Sequence, residues 1–116
     1  MIRKPRLYIN DILEQIELIG EFTKGSTKEK FLGDKQKQYA VIRAIEIIGE
    51  ATKQLAFHFK NKYPEIEWKG MAGMRDILIH AYFGVNLEKV WYCVKEEIPV
   101  LKKQIQKIIE TEKDKQ

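Results

Sequence analysis

Four side chains capable of acid–base and anion chemistry stand within the stretch MRDILIHAY, residues 74–82: Arg75, Asp76, His80 and Tyr82. An imidazole takes or gives a proton near neutral pH. A guanidinium holds an oxyanion in a planar, permanently charged fork. A carboxylate orients an imidazole, and a phenol both donates and accepts a hydrogen bond. The remaining residues of the stretch are apolar and helix-forming, so it reads either as a core helix with polar decoration or as a helix presenting a site.

Helical arithmetic separates the four. At about 100° per residue, Asp76 and His80 share one face, and Arg75 and Tyr82 are nearly eclipsed on another. Arg75 and His80 point about 140° apart by the same count. A bent helix end or a second subunit would have to bring them together. Spacing alone leaves the bland reading in force, an Asp–His surface contact worth a few tenths of a kcal/mol.

The elements that must position this stretch are helical throughout. Pro5 suits a first helical turn, and Ile9, Ile12, Leu13, Ile16 and Ile19 follow at helical spacing, predicting a helix over 5–23. Ser26 with Glu29 forms a capping-box pattern ahead of one short turn holding Phe31. Asp34 is the expected N-cap of a long helix whose stripe runs from Val41 through Ala44, Ile45, Ile48, Ala51 and Leu55 to Phe59, closed by Pro64. Gly49 inside that stripe suggests a close helix–helix approach. Trp68 is a large anchor before a short helix expected at about 72–82. Asn86 is the next N-cap, and Val90, Trp91, Val94 and Ile98 form its stripe. Pro99 kinks that helix or starts another, carrying Leu101, Ile105, Ile108 and Ile109. Tyr8, Tyr39, Tyr63 and Tyr92 are expected to pack, Cys93 to be a small buried hydrophobe, and His58 to be a surface histidine. The expectation is one domain over 1–116, an all-α, up-and-down bundle of four to five helices.

With 116 residues, 44% apolar and 33% charged, the chain is large enough for a packed core and too apolar for a disordered segment. One cysteine excludes an internal disulfide and a multi-cysteine metal site, and agrees with a cytoplasmic protein. No apolar run is long enough to span a membrane, and the start lacks the apolar region of a signal peptide. A net charge of +4 is compatible with a nucleic-acid partner without establishing one.

Three blocks, IRAIEIIGEATKQL, YPEIEWKGMAGMRDILIHAYFGVNLEKVW and EEIPVLKKQI, resemble the HepT-like family of HEPN-domain proteins. The resemblance covers nearly the whole chain, and its core is the motif of Arg75, Asp76, His80 and Tyr82. Two positions depart from the usual pattern: Asp76 stands where asparagine is common, and Ala81 where an acidic residue is common. Asp76 is still polar and able to orient His80.

The resemblance implies the toxin of a type VII toxin–antitoxin system, a metal-independent endoribonuclease. It implies a cognate minimal nucleotidyltransferase antitoxin that neutralises the toxin by adding AMP to the motif tyrosine. It further implies a homodimer whose two motifs meet in one cleft, with a higher complex formed with the antitoxin. In this reading Arg75 and His80 are catalytic, Asp76 supports His80, and Tyr82 binds substrate and accepts AMP. RNA is the substrate, and neither metal nor cofactor is called for. The alternative is a non-catalytic helical partner or nucleotide-binding subunit of a nucleotidyltransferase, motivated by the small size and the long apolar stripes.

Overall fold

A proline at the first helical position sets the start of the bundle. In the computed structural model, which describes residues 3–73 and 84–114, helix α1 spans Pro5–Thr23 with that proline in its first turn, over the range that the spacing predicted. Its buried face is Ile9, Ile12, Ile16 and Ile19, each almost wholly removed from water. Burial of one such side chain contributes roughly 1.5–3 kcal/mol. Thr23 closes this face by donating its hydroxyl to the Ile19 carbonyl at 2.7 Å. Gly25, at φ 72, then turns the chain in a conformation that suits glycine.

The short helix α2, Lys28–Leu32, holds the fully buried Phe31, as expected. Its cap is Thr27, whose Oγ1 accepts from the Lys30 amide at 3.2 Å, and not Ser26. Ser26 Oγ accepts instead from Lys37 Nζ. Gln38, buried on the next helix, donates its amide to the carbonyls of Phe31 and Leu32 at 2.9 and 3.0 Å. The C-terminal end of α2 is thereby satisfied from a neighbouring element.

Helix α3, Lys35–Gln54, starts at Asp34, whose Oδ1 accepts from the Lys37 amide at 3.0 Å. Val41, Ala44, Ile45, Ile48 and Ala51 form its buried stripe, with Gly49 also buried. The single helix expected to run on to Phe59 is broken. Leu55 and Ala56 are extended, and a separate turn, α4 (Phe57–Lys60), follows. Neither glycine nor proline marks the break. Leu55 and Phe59 are nonetheless both in the core, so the apolar stripe continues across two differently oriented helices.

Residues 68–73 form α5, which starts about four residues before the position expected from the glycine pattern. After the undescribed segment, α6 spans Leu87–Tyr92, capped by Asn86 Oδ1 on the Lys89 amide at 3.1 Å. One wide π turn, Cys93–Glu97, joins it to α7, Ile98–Lys113. Pro99 is the cause. It lacks an N–H and its ring collides with the carbonyl four residues back, which an α-helix cannot absorb without deformation. The Ile98 amide reaches back five residues to the Cys93 carbonyl, and α7 then proceeds with proline in its first turn.

The described residues are helical with no strand, and α1 packs against both α3 and α7. The first turn of α1 shares a cleft with α4 and the end of α7. At the other end Phe31 of α2 meets Trp91 of α6, ring centroids 5.3 Å apart. The long helices therefore run up and down, as the all-α reading anticipates. Ile105 and Ile108 of α7 complete the core. Tyr63 is buried and donates its hydroxyl to Glu112, whereas Tyr39 and Tyr92, expected to pack, are 71% and 60% exposed. Both lie on helix faces turned away from the core, which the long stripes beside them fill.

Two outcomes are expected from this packing. Burial pushes the Cys93 thiol up to about 12, and the neighbouring Glu97 carboxylate adds to the shift. Burial and the hydrogen bond to Glu112 also raise the Tyr63 phenol. Both protons are held more tightly in the folded chain than in the unfolded one. The Cys93 contribution is therefore full below about pH 9 and falls as pH rises toward 12, by up to roughly 1.4 kcal/mol per pH unit, and the Tyr63 phenol acts in the same direction at higher pH. Urea midpoints measured across that range check the slope. Iodoacetamide at pH 8 should label Cys93 only after unfolding, and rapid labelling of the folded protein would contradict its burial.

Candidate functional site

Arg75, Asp76, His80 and Tyr82 all fall in residues 74–83, outside the described residues. The structure shows what leads into that segment and what receives the chain after it. The lead-in is built on Trp68, which is 9% exposed. Its indole Nε1 donates to the carbonyls of Lys60 and Tyr63 at 3.1 and 3.0 Å. A tryptophan buried in a helical core needs such acceptors, because an unpaired indole N–H away from water is costly. Here the acceptors lie at the end of α4 and just before Pro64, so the ring ties the chain ahead of the proline to the start of α5 beyond it. The Met71 amide then bonds the Glu67 carbonyl at 3.0 Å, a regular helical turn. The segment carrying the motif thus follows directly from a helix whose first residue is locked in place.

Beyond the motif segment the chain passes Gly84, at φ 157, and reaches the Asn86 cap of α6. Trp91 on α6 is half-buried against Phe31, with Lys95 Nζ 5.4 Å from its ring centroid. It serves as a packing anchor between α2 and α6, as expected.

Between α3, α5 and the π turn lies a groove of about 340 Å³. Ile45, Ile48, Met71, Cys93 and Leu101 form its apolar lining, and Glu65, Glu67, Glu96 and Glu97 stand along it. Gln104 spans from α7 to the Glu65 carbonyl at 3.2 Å. Met71 belongs both to this groove and to the last described turns before the motif. The four carboxylates come from two stretches of sequence some thirty residues apart, so no local pattern could have grouped them.

At the start of α1, Lys4, Arg6, His58, Phe59, Lys62 and Glu112 share a wider cleft of about 510 Å³. His58 is exposed, as its lack of a partner in the sequence suggested, yet it does not stand alone. Lys62 Nζ pairs with Glu112 at 3.2 Å, a contact between α7 and the segment after α4 that only the folded chain reveals. Among the described residues no group of three or more histidine, cysteine, aspartate or glutamate side chains is placed to hold a metal ion. Among them also, no helix is long and apolar enough to cross a membrane.

Comparison with known proteins identifies the family. The family model described as ribonuclease HepT-like matches residues 12–108, a span that includes all four motif residues. A Thermococcus cleftensis protein named as a probable ribonuclease HepT is 55% identical over 108 residues, 93% of this chain and 98% of that one. A protein of Caldanaerobacter subterraneus subsp. tengcongensis, named as a candidate RNase, is 44% identical over 112 residues, 97% of this chain and all of its own. A Methanocaldococcus jannaschii protein, whose name joins a gamma-glutamylcyclotransferase to a candidate RNase, is 54% identical over 110 residues. That match covers 95% of this chain but 50% of the larger protein. No solved structure matches the chain. With the motif, the helical bundle and these relatives in agreement, the chain belongs to the ribonuclease HepT-like family of HEPN-domain proteins.

Proposed function

We propose that this chain is a metal-independent endoribonuclease and the toxin of a type VII toxin–antitoxin pair. One observation carries the reading: Arg75, His80 and Tyr82 stand at HEPN spacing inside the span matched by a ribonuclease family. The RNase names of relatives that this chain covers almost end to end support an RNA substrate.

The proposed chemistry uses the substrate's own 2′-hydroxyl. Its oxygen attacks the adjacent phosphorus, the bond from phosphorus to the 5′-oxygen breaks, and a 2′,3′-cyclic phosphate forms. One proton leaves the 2′-hydroxyl and one arrives on the departing 5′-oxygen, so the reaction needs a base and an acid. His80 is suited to either role near neutral pH. Arg75 offers a bidentate clamp for the charge that builds on the phosphate oxygens. Asp76, one helical turn before His80, would hold the imidazole in orientation.

A single motif supplies one imidazole, and helical geometry turns Arg75 about 140° away from it. A homodimer meets both difficulties by placing two copies of Arg75 and His80 around one cleft. Tyr82 would bind substrate and accept AMP from a minimal nucleotidyltransferase. Its phenolic oxygen would attack the α-phosphorus of ATP and pyrophosphate would leave. The added phosphodiester would bring negative charge and bulk to an anion site, which accounts for neutralisation. We take the protein to be cytoplasmic and a single domain over 1–116. The M. jannaschii relative, in which a similar region makes up half of a longer protein, supports a self-contained unit.

The alternative, a non-catalytic helical partner or nucleotide-binding subunit, is motivated by the small size and the long apolar stripes. In the structure those stripes are buried in the chain's own core, with Ile12, Val41 and Ile105 fully removed from water. No observation now favours that alternative.

Purified protein in EDTA should cut single-stranded RNA and leave 2′,3′-cyclic phosphate ends, read by end-group analysis. His80→Ala should lower the cleavage rate by roughly 10²–10⁴. Equal cleavage by that variant would remove His80 from the mechanism. Incubation with the cognate nucleotidyltransferase and ATP should add AMP mass increments to the parent chain and none to Tyr82→Phe. An increment that persists in Tyr82→Phe would reassign the acceptor.

A further inference from the structure

The cleft where α1 begins and α7 finishes carries an imbalance of charge. Lys4, Arg6 and Lys62 face it together with His58, against one carboxylate, Glu112. That carboxylate is already engaged. It accepts from the Tyr63 hydroxyl and pairs with Lys62 at 3.2 Å. Among the described residues, Lys4, Arg6 and His58 have no hydrogen-bond or ion-pair partner through their side chains. The neighbouring Arg3 differs: it pairs with Asp11 at 2.9 Å and lies over the Tyr8 ring. Two fixed cationic groups therefore stand open in a concave site with its acidic member neutralised.

One exposed aromatic ring neighbours the cleft residues in the chain. Phe57, next in sequence to the cleft residue His58, opens α4 and is 78% exposed, while Phe59 lines the cleft floor as a buried ring under Lys62 at 5.1 Å. Cations that meet phosphates beside a ring that meets a base are the two components of single-strand nucleic-acid binding. A duplex keeps its base faces stacked inside, so an exposed phenylalanine favours a single strand.

We propose that this cleft is an RNA-binding site separate in sequence from the motif, holding the backbone of single-stranded RNA. Lys4 and Arg6 bind phosphates, and Phe57 stacks on a base. The site takes hold of a long strand without taking part in the bond-breaking step. The inference rests on the reading of the chain as an RNA-cutting protein.

The test uses the full chain, a labelled mixed-sequence RNA of about 20 nucleotides, long enough to span more than one site, and the full set of RNA dinucleotides. Binding is followed by fluorescence anisotropy across a series of salt concentrations. Lys4→Gln with Arg6→Gln should weaken binding of the long RNA and reduce the salt slope by about 0.7 for each phosphate no longer neutralised. Phe57→Ala should weaken binding by roughly five- to hundredfold and leave the salt slope unchanged. All three substitutions lie on exposed side chains, and circular dichroism melts confirm that the variants fold. Dinucleotide cleavage should stay at the parent rate, because a dinucleotide is too short to use a second site. Parental affinity and slope in both variants would overturn the proposal while leaving the nuclease reading intact. Altered binding by the variants of a parent protein that cuts neither substrate would uphold the site and sink the nuclease reading. Failure of the parent to bind the long RNA at all would overturn the site.

Discussion

The indole of Trp68 and the two carbonyls it serves hold together the part of the chain on which the motif depends. Lys60, Tyr63 and Trp68 lie on either side of Pro64, where the backbone cannot continue a helix. With both carbonyls bonded to one buried N–H, the path around the proline is fixed and α5 begins at a set place. Tyr63, bonded in turn to Glu112 of α7, extends the same tie to the last helix. The helical lead-in to residues 74–83 is thus fastened to two other elements before the motif starts. The roles proposed for Arg75 and His80 would need placement to within about half an ångström, which rigid support of this kind favours.

Features written in local sequence were legible, and features created by tertiary contact were not. Pro5, Asp34 and Asn86 each act within one helical turn, so the starts of α1, α3 and α6 could be read from residue types alone. The apolar stripe of α3 was equally legible, but its break at Leu55 was not. Both sides of the break bury the same kind of residue, and no proline or glycine marks it. Ser26 and Thr27 are adjacent hydroxyl residues before one short helix, and local chemistry could not choose between them. The selection of Thr27 accompanies the engagement of Ser26 by Lys37, eleven residues away. Tyr39 and Tyr92 were expected to pack because aromatic rings usually do, yet neither belongs to a stripe. For the site, the four motif residues were legible as types and spacing, while the joint role proposed for them rests on resemblance to a family.

The net charge of +4 conceals a division of charge over the surface. One end of the molecule gathers Lys4, Arg6 and Lys62, and the groove beside α5 gathers Glu65, Glu67, Glu96 and Glu97. Neither group is contiguous in sequence. Such separation acts on anything charged that approaches, because fields of like sign add over a surface where an average would cancel.

The π turn at Cys93–Glu97 has a consequence for how this chain can change over generations. A π turn holds one residue more than the α-helix it interrupts. The wide turn takes up that residue, so the helix beyond it keeps its facing, with Ile105 and Ile108 in the core. Deleting one residue within the turn would let it close to an ordinary helical turn with that face kept, whereas a deletion in the regular turns of α7 would swing the residues beyond it by about 100°. The rod can therefore absorb a one-residue change of length at this turn that its regular turns cannot.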